Sequence, residues 1–131
     1  MLRVPSTLSE EQEEIVRRTV DVGFAVHREL GPGFKESIYE EAFCLELDLR
    51  GMSFERQKPI SVCYKQWIIP GQKLDLIVER AVIVELKAVT KLERIHEAAV
   101  ISYLKATGLR LGLLINFHER LLKDGIQRLV L

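Results

Sequence analysis

The sequence has little of what marks a specialised environment. Its 131 residues include only two cysteines, Cys44 and Cys63. Two thiols make neither a disulfide framework nor a zinc-ligand spacing. Both are expected to be reduced and packed as small apolar residues. Neither sign of charge is in excess: 19 Lys and Arg offset 19 Asp and Glu. That balance excludes a polybasic tail, an acidic chaperone and a disordered chain. It also argues against indiscriminate nucleic-acid binding driven by global charge, although a local basic face is still allowed. No apolar run approaches the roughly 18 residues that cross a bilayer. The stretch Met1-Leu2-Arg3-Val4-Pro5 lacks the apolar core of a secretion signal. The expectation is a cytoplasmic protein with no membrane contact. There is no internal repeat, low-complexity tract or linker.

What is present is a core. Hydrophobic residues make up 47% of the chain. At about 100–200 residues per domain, residues 1–131 are expected to form one domain. Ser9-Glu10-Glu11-Gln12 reads as a capping box with acidic residues in the first helical turn. Val16, Val20, Gly23, Val26 and Leu30 then recur at helical spacing, and Gly31-Pro32-Gly33 stops the helix. A second helix is expected from about Glu36 to Arg50, with Ile38, Ala42, Leu45 and Leu49 as its buried stripe. The period then changes. Phe54–Pro59, Ile60–Trp67, Lys73–Val78 and Ala81–Lys87 read as extended segments, with Pro70-Gly71 as a turn. A third helix is expected from Leu92 to Thr107, then strands at Leu111–Phe117 and Ile126–Leu131 flanking an Asp124-Gly125 turn. The order α-α-β-β-β-β-α-β-β implies an α/β or α+β sandwich with a mixed sheet.

The chemistry concentrates in Lys73–Val78 and Val82–Lys87. Alternate residues of a strand share a face. Val82, Val84 and Leu86 therefore point one way, and Glu85 with Lys87 the other; Asp75 faces away from Leu74 and Leu76. If these strands form a hairpin, the connection sets the register. A Glu79-Arg80-Ala81 loop pairs Val78 with Val82 and so Asp75 with Glu85. A two-residue turn would put the carboxylates on opposite faces unless a bulge intervened. Adjacent carboxylates repel, and a hard divalent cation with oxygen ligands would neutralise them. A lysine two residues beyond Glu85 would sit at the rim of that site, able to act on a water or a phosphate. The alternative is a solvent-facing ladder of Asp, Glu and Lys ion pairs.

Asp75, nine residues, then Glu85-x-Lys87 resembles the motif of the PD-(D/E)XK nuclease superfamily, without the usual proline next to the aspartate. Gly33-Phe34-Lys35-Glu36-Ser37-Ile38-Tyr39 fits G-x-x-E-x-x-Y. It looks like the signature of the GxxExxY family, a branch of that superfamily of small prokaryotic proteins. The stretches His27–Gly33, Glu55–Pro59, Val84–Val89, Tyr103–Leu109 and Gly112–Phe117 resemble that family too, so the similarity spans nearly the whole chain.

The resemblance implies a restriction-endonuclease-like α/β core, a mixed sheet flanked by helices. It implies hydrolysis of nucleic-acid phosphodiester bonds, in DNA or RNA, by a Mg²⁺- or Mn²⁺-activated water. Glu36 matches the acidic residue of the first motif. Asp75 and Glu85 match the metal-binding carboxylates, Lys87 the motif lysine, and the Leu86 carbonyl a further metal ligand. Tyr39, one turn from Glu36, is open to three roles: a hydrogen bond to Glu36, a substrate contact, or packing. Lys73 stands where the family often has arginine, which keeps the charge but loses a bidentate fork. His96, Ala99 and Tyr103 share a helix face. His96 and Tyr103 are candidate substrate contacts, and Ala99 replaces the family's glutamine, which puts catalytic efficiency in question. His27 is expected to be packed and hydrogen-bonded, and His118 to be a surface turn residue. The competing function is a nuclease-fold module that binds nucleic acid or a protein without cutting. A homodimer is an expectation that the sequence does not locate.

Overall fold

The Ser9 capping box forms as the sequence predicts. The Gln12 amide donates to Ser9 Oγ at 3.1 Å, and the Ser9 amide donates to Gln12 Oε1 at 2.9 Å. Helix α1 runs from there over Glu10–Leu30 and closes with the Gly31 amide on the His27 carbonyl at 2.8 Å. The computed structural model describes residues 8–131, so the Met1–Pro5 stretch lies outside the described residues. Helix α2 covers Glu36–Leu49. Strands β1 (Phe54–Tyr64), β2 (Trp67–Val78) and β3 (Val82–Lys87) follow, then helix α3 (Arg94–Thr107). Strand β4 (Leu111–Asn116), a 3₁₀ turn (Leu122–Gly125) and β5 (Ile126–Val130) complete the order. The sheet order is β1-β2-β3-β4-β5. All neighbours are antiparallel except β3 and β4, which run parallel across the α3 crossover. This is the mixed sheet flanked by helices that the sequence implied. Among the described residues, no helix is long and apolar enough to cross a membrane.

Two apolar clusters sandwich the sheet. One joins Val22 and Val26 of α1 and Tyr39, Phe43 and Leu47 of α2 to Val82, Val84 and Leu86 of β3. The other joins Val100 and Leu104 of α3 to Leu74, Ile77, Ile83 and Leu114. Burying both faces of β3 and β4 is what a parallel pair beneath a crossover helix requires.

Four expectations change. Helix α2 buries Tyr39, Phe43, Cys44 and Leu47. Of the expected stripe Ala42 packs against the core, but Ile38, Leu45 and Leu49 face outward, Leu45 56% and Leu49 81% exposed. The helix is apolar on two sides, and the side carrying two aromatics buries more surface. The expected four extended segments before α3 are three strands, because Pro70-Gly71 is a bulge inside β2 rather than a turn. Ile60 pairs with Gln72 but Val62 with Ile69, leaving two residues opposite Ser61. The turn lies at Lys65-Gln66, between the paired Tyr64 and Trp67. Leu74 and Leu76 do not share a face: they belong to opposite clusters. The reversal coincides with Gln57, whose left-handed φ of 50° breaks the facing strand where it would meet Asp75. Finally, Cys44 is buried as expected but Cys63 is exposed.

Candidate active site

The link between β2 and β3 is the odd loop that the carboxylate pairing demands. Val78 pairs with Val82, Ile77 with Ile83 and Leu76 with Val84. The loop residues Glu79 and Arg80 adopt left-handed φ values of 52° and 56°. The ladder stops at Leu76, one step before Asp75 would face Glu85. Side chains take over from carbonyls at that step. The Asp75 amide donates to Glu85 Oε1 at 2.8 Å, and the Leu86 amide donates to Asp75 Oδ2 at 2.9 Å. Each carboxylate is thus fixed through one oxygen to the other strand's main chain. No hydrogen bond from the described residues reaches Asp75 Oδ1 or Glu85 Oε2.

Burial and proximity hold both groups toward the protonated form. Glu85 is only 6% exposed. Its carboxyl is pushed up to about 7, first by burial, then by the Asp75 charge; the Asp75 amide and the Lys87 charge oppose the rise. Asp75 is raised by burial and by the charges of Glu40 and Glu36, against the pull of the Leu86 amide and Lys87. A solvated ion-pair ladder would not be buried in this way. Two adjacent carboxylates, each with an oxygen to spare, form a hard oxygen donor pair of the kind that divalent cations take. The backbone at Leu86 lies between them and Lys87.

The remaining predicted residues separate. Lys87 and Glu36 act on the pair through their charges. Glu36 is the first residue of α2 and is exposed. Among the described residues, no group of three or more His, Cys, Asp or Glu side chains converges as a metal site. Tyr103 stands near the pair, since the Glu85 and Asp75 charges join burial in raising its hydroxyl pKa; that hydroxyl accepts from Gln72 Nε2 at 3.1 Å. Lys73 is exposed on β2. His96 caps α3, its Nδ1 accepting from the Glu93 amide at 2.9 Å. Tyr39 is completely buried and packs rather than facing a substrate or Glu36. Its hydroxyl donates to the Gly31 carbonyl at 2.6 Å and accepts from the Phe34 amide at 3.1 Å. Its ring stacks on Phe117 at 4.5 Å. His27 is hydrogen-bonded as expected, donating to the Glu119 carbonyl at 2.7 Å. His118 is more than a surface turn residue: its Nε2 donates to the Phe34 carbonyl at 2.9 Å.

These bonds give the G-x-x-E-x-x-Y spacing a physical meaning. Gly33 takes a φ of 116°, which favours glycine. Tyr39 and His118 grip the two main-chain groups of Phe34, two residues before Glu36. The motif's tyrosine therefore orients the helix start that carries its glutamate.

A model of the PD-(D/E)XK nuclease superfamily matches residues 13–129. The chain belongs to that superfamily. No curated protein and no solved structure matches it.

Two residues of this superfamily member escaped the sequence reading. Glu40 accepts hydrogen bonds from Arg56 Nε and Gln57 Nε2, tying α2 to the irregular point of β1, and adds negative charge to Asp75. Its signal was available: it lies four residues after Glu36, on the same helix face. Asn116 is wholly buried at the end of β4, in register with Lys87. Its amide oxygen accepts from the Val89 amide at 3.0 Å, and its amide nitrogen donates to the Val89 carbonyl at 2.9 Å. This clamp fixes the chain leaving Lys87. An asparagine in an apolar run signals such a clamp only weakly, because its partner lies 27 residues away.

Proposed function

We propose that this chain is a divalent-cation-dependent nuclease of the GxxExxY branch, hydrolysing phosphodiester bonds in nucleic acid. One observation carries the reading: the buried Glu85 and half-buried Asp75 carboxylates are pinned together by backbone amides, with one oxygen of each left over. Asp75, Glu85 and the Leu86 carbonyl would hold Mg²⁺ or Mn²⁺, with Glu36 acting across the site directly or through water. When bound, such an ion lowers the pKa of water and offsets phosphate charge. Lys87 lies two residues past Glu85 on the same face of β3. Its ammonium orients the attacking water or stabilises charge developing on the phosphate. Lys73, Tyr103 and the free nitrogen of His96 are the substrate-facing groups of this reading.

One observation favours a second reading, a nuclease-fold module that binds without cutting. Ala99 offers no polar group on the α3 face that runs toward Tyr103. The test is cleavage of labelled single-stranded DNA, duplex DNA and RNA with Mg²⁺ or Mn²⁺, beside the Glu85→Gln protein. Cutting by the parent alone supports the nuclease. A folded parent that cuts nothing selects the second reading.

A further inference from the structure

An open groove runs along α3, between that helix and strands β1 and β2. Its first part, a cavity of about 380 Å³, is lined by Gln72 and Tyr103 together with Ile60, Ser102 and Lys105. Its second part, about 600 Å³, continues past Ala106 to Ile77, Leu109, Lys58 and Arg80. Ile60, Ser61, Cys63 and Ala106 border both parts. Each volume lies in the range of about 300–1,000 Å³ typical of small-ligand sites. The end of the groove nearest the acidic pair is marked by the Gln72–Tyr103 hydrogen bond at 3.1 Å, with Gln72 on β2 three residues before Asp75.

The groove's chemistry is mixed in a specific way. Its exposed apolar surface comes from Val62 and Ile68 over the buried Ile60 and Ile77, its walls carry Ser61, Ser102, Gln72 and Thr107, and its rim carries Lys58, Arg80 and Lys105 beside one carboxylate, Glu55. Lys58 is neutralised by Glu55 at 2.6 Å. Lys105 and Arg80 have no carboxylate partner among the described residues, and neither has Lys73, next to Gln72. Duplex presents phosphates and polar groove edges and keeps its apolar base faces stacked inside. It has nothing to place against Val62, Ile68 and Leu109. An unstacked strand has both an anionic backbone for the rim and apolar base faces for these side chains. The zero net charge points the same way, because it leaves little generic attraction to hold a rigid duplex.

We propose that this groove binds the unstacked bases of single-stranded nucleic acid, guiding its backbone across the Asp75–Glu85 pair. The proposal rests on the nuclease reading for what happens at that pair, but base binding is measurable without cleavage. The experiment is fluorescence anisotropy of the intact chain in EDTA. The probes are a labelled 12-nucleotide single strand as DNA and as RNA, the DNA duplex of the same sequence, and a 12-unit abasic strand. The single strand in DNA or RNA form binds at least tenfold more tightly than both the duplex and the abasic strand. Whichever form binds better names the groove's preferred ligand. Ala106→Glu, an exposed change between the two cavities, weakens that binding about tenfold while the melting temperature and far-ultraviolet circular dichroism stay unchanged. Ala106→Ser leaves it intact.

Equal or tighter binding of duplex, equal binding of the abasic strand, or no effect of Ala106→Glu each overturns the groove assignment, as does absence of binding to any probe. Cleavage separates the two proposals. Manganese-dependent cutting of duplex as fast as single strand overturns the groove and keeps the nuclease. Base-dependent single-strand binding with no cutting keeps the groove and overturns the nuclease.

Discussion

Replacing Glu85 by glutamine should stabilise this protein in metal-free buffer at alkaline pH. The carboxyl is held at about 7 in the folded chain against an ordinary 4.5. The native state therefore binds this proton more tightly than the unfolded chain does, and ionisation works against folding. The penalty is absent below about pH 4, grows as the pH rises from 4.5 to 7, and is complete above 7. A difference of that size corresponds to about 3 kcal/mol at 1.36 kcal/mol per pH unit. Glutamine keeps the oxygen that accepts from the Asp75 amide and removes the charge. Glu85→Gln should therefore gain about 2–3 kcal/mol at pH 8 and about zero at pH 4. For a chain of this length that is roughly 10 °C in melting temperature. The assay is thermal unfolding of both proteins in EDTA at pH 4, 6 and 8, then at pH 8 with Mg²⁺. The ion should raise the parent's melting temperature and leave the variant's nearly unchanged. A variant no more stable than its parent at pH 8 in EDTA would refute the account of a buried Glu85 carboxylate repelled by Asp75.

Three further outcomes follow from other contacts. Lys87→Gln removes the cation that pulls both carboxyls down. It should extend the parent's stability decline to higher pH, with the onset unchanged, and lower cleavage by about 10²-fold or more; an unchanged pH profile would place Lys87 outside the site. Tyr39→Phe leaves the Gly31 carbonyl and Phe34 amide without their hydroxyl partner. It should cost about 1–3 kcal/mol in chemical unfolding, and a neutral result would mean the hydroxyl does not hold the loop. Ala99→Gln should increase cleavage, and unchanged rates would show that this position lies off the reaction path.

The carboxylate pairing was legible because it reduces to parity. An odd connection brings Asp75 into line with Glu85 without a bulge, and the Val78–Val82 pair shows that the connection is odd; the ladder ends at Leu76 and side-chain bonds complete the pairing. The Ser9 cap was legible because its bonds are local. The alternation through β2 was not. Nothing about Gln57 announces a left-handed backbone, yet that residue accompanies the change of face between Leu74 and Leu76. Pro70-Gly71 correctly marked an interruption, but a bulge and a turn use the same residues. On α2 two apolar stripes competed, and the choice between them depended on partners distant in sequence: Phe117 for the Tyr39 ring and Leu122 with Ile115 beside α1. Asn116 and His118 were illegible for the same reason. Their hydrogen-bond partners are 27 and 84 residues away.

The carboxylates that close the β2–β3 seam also make two backbone amides into gauges of the site. The Asp75 proton points at Glu85 and the Leu86 proton at Asp75. Each resonance therefore reports the charge on a different carboxyl, from opposite strands, without any label at the reacting groups. Their chemical shifts would follow protonation separately, resolving which carboxyl takes the first proton of a coupled pair. Their exchange with solvent would register whether a bound cation tightens the seam or draws the carboxylates away from it. The fastening of the sheet thus supplies its own readout of occupancy.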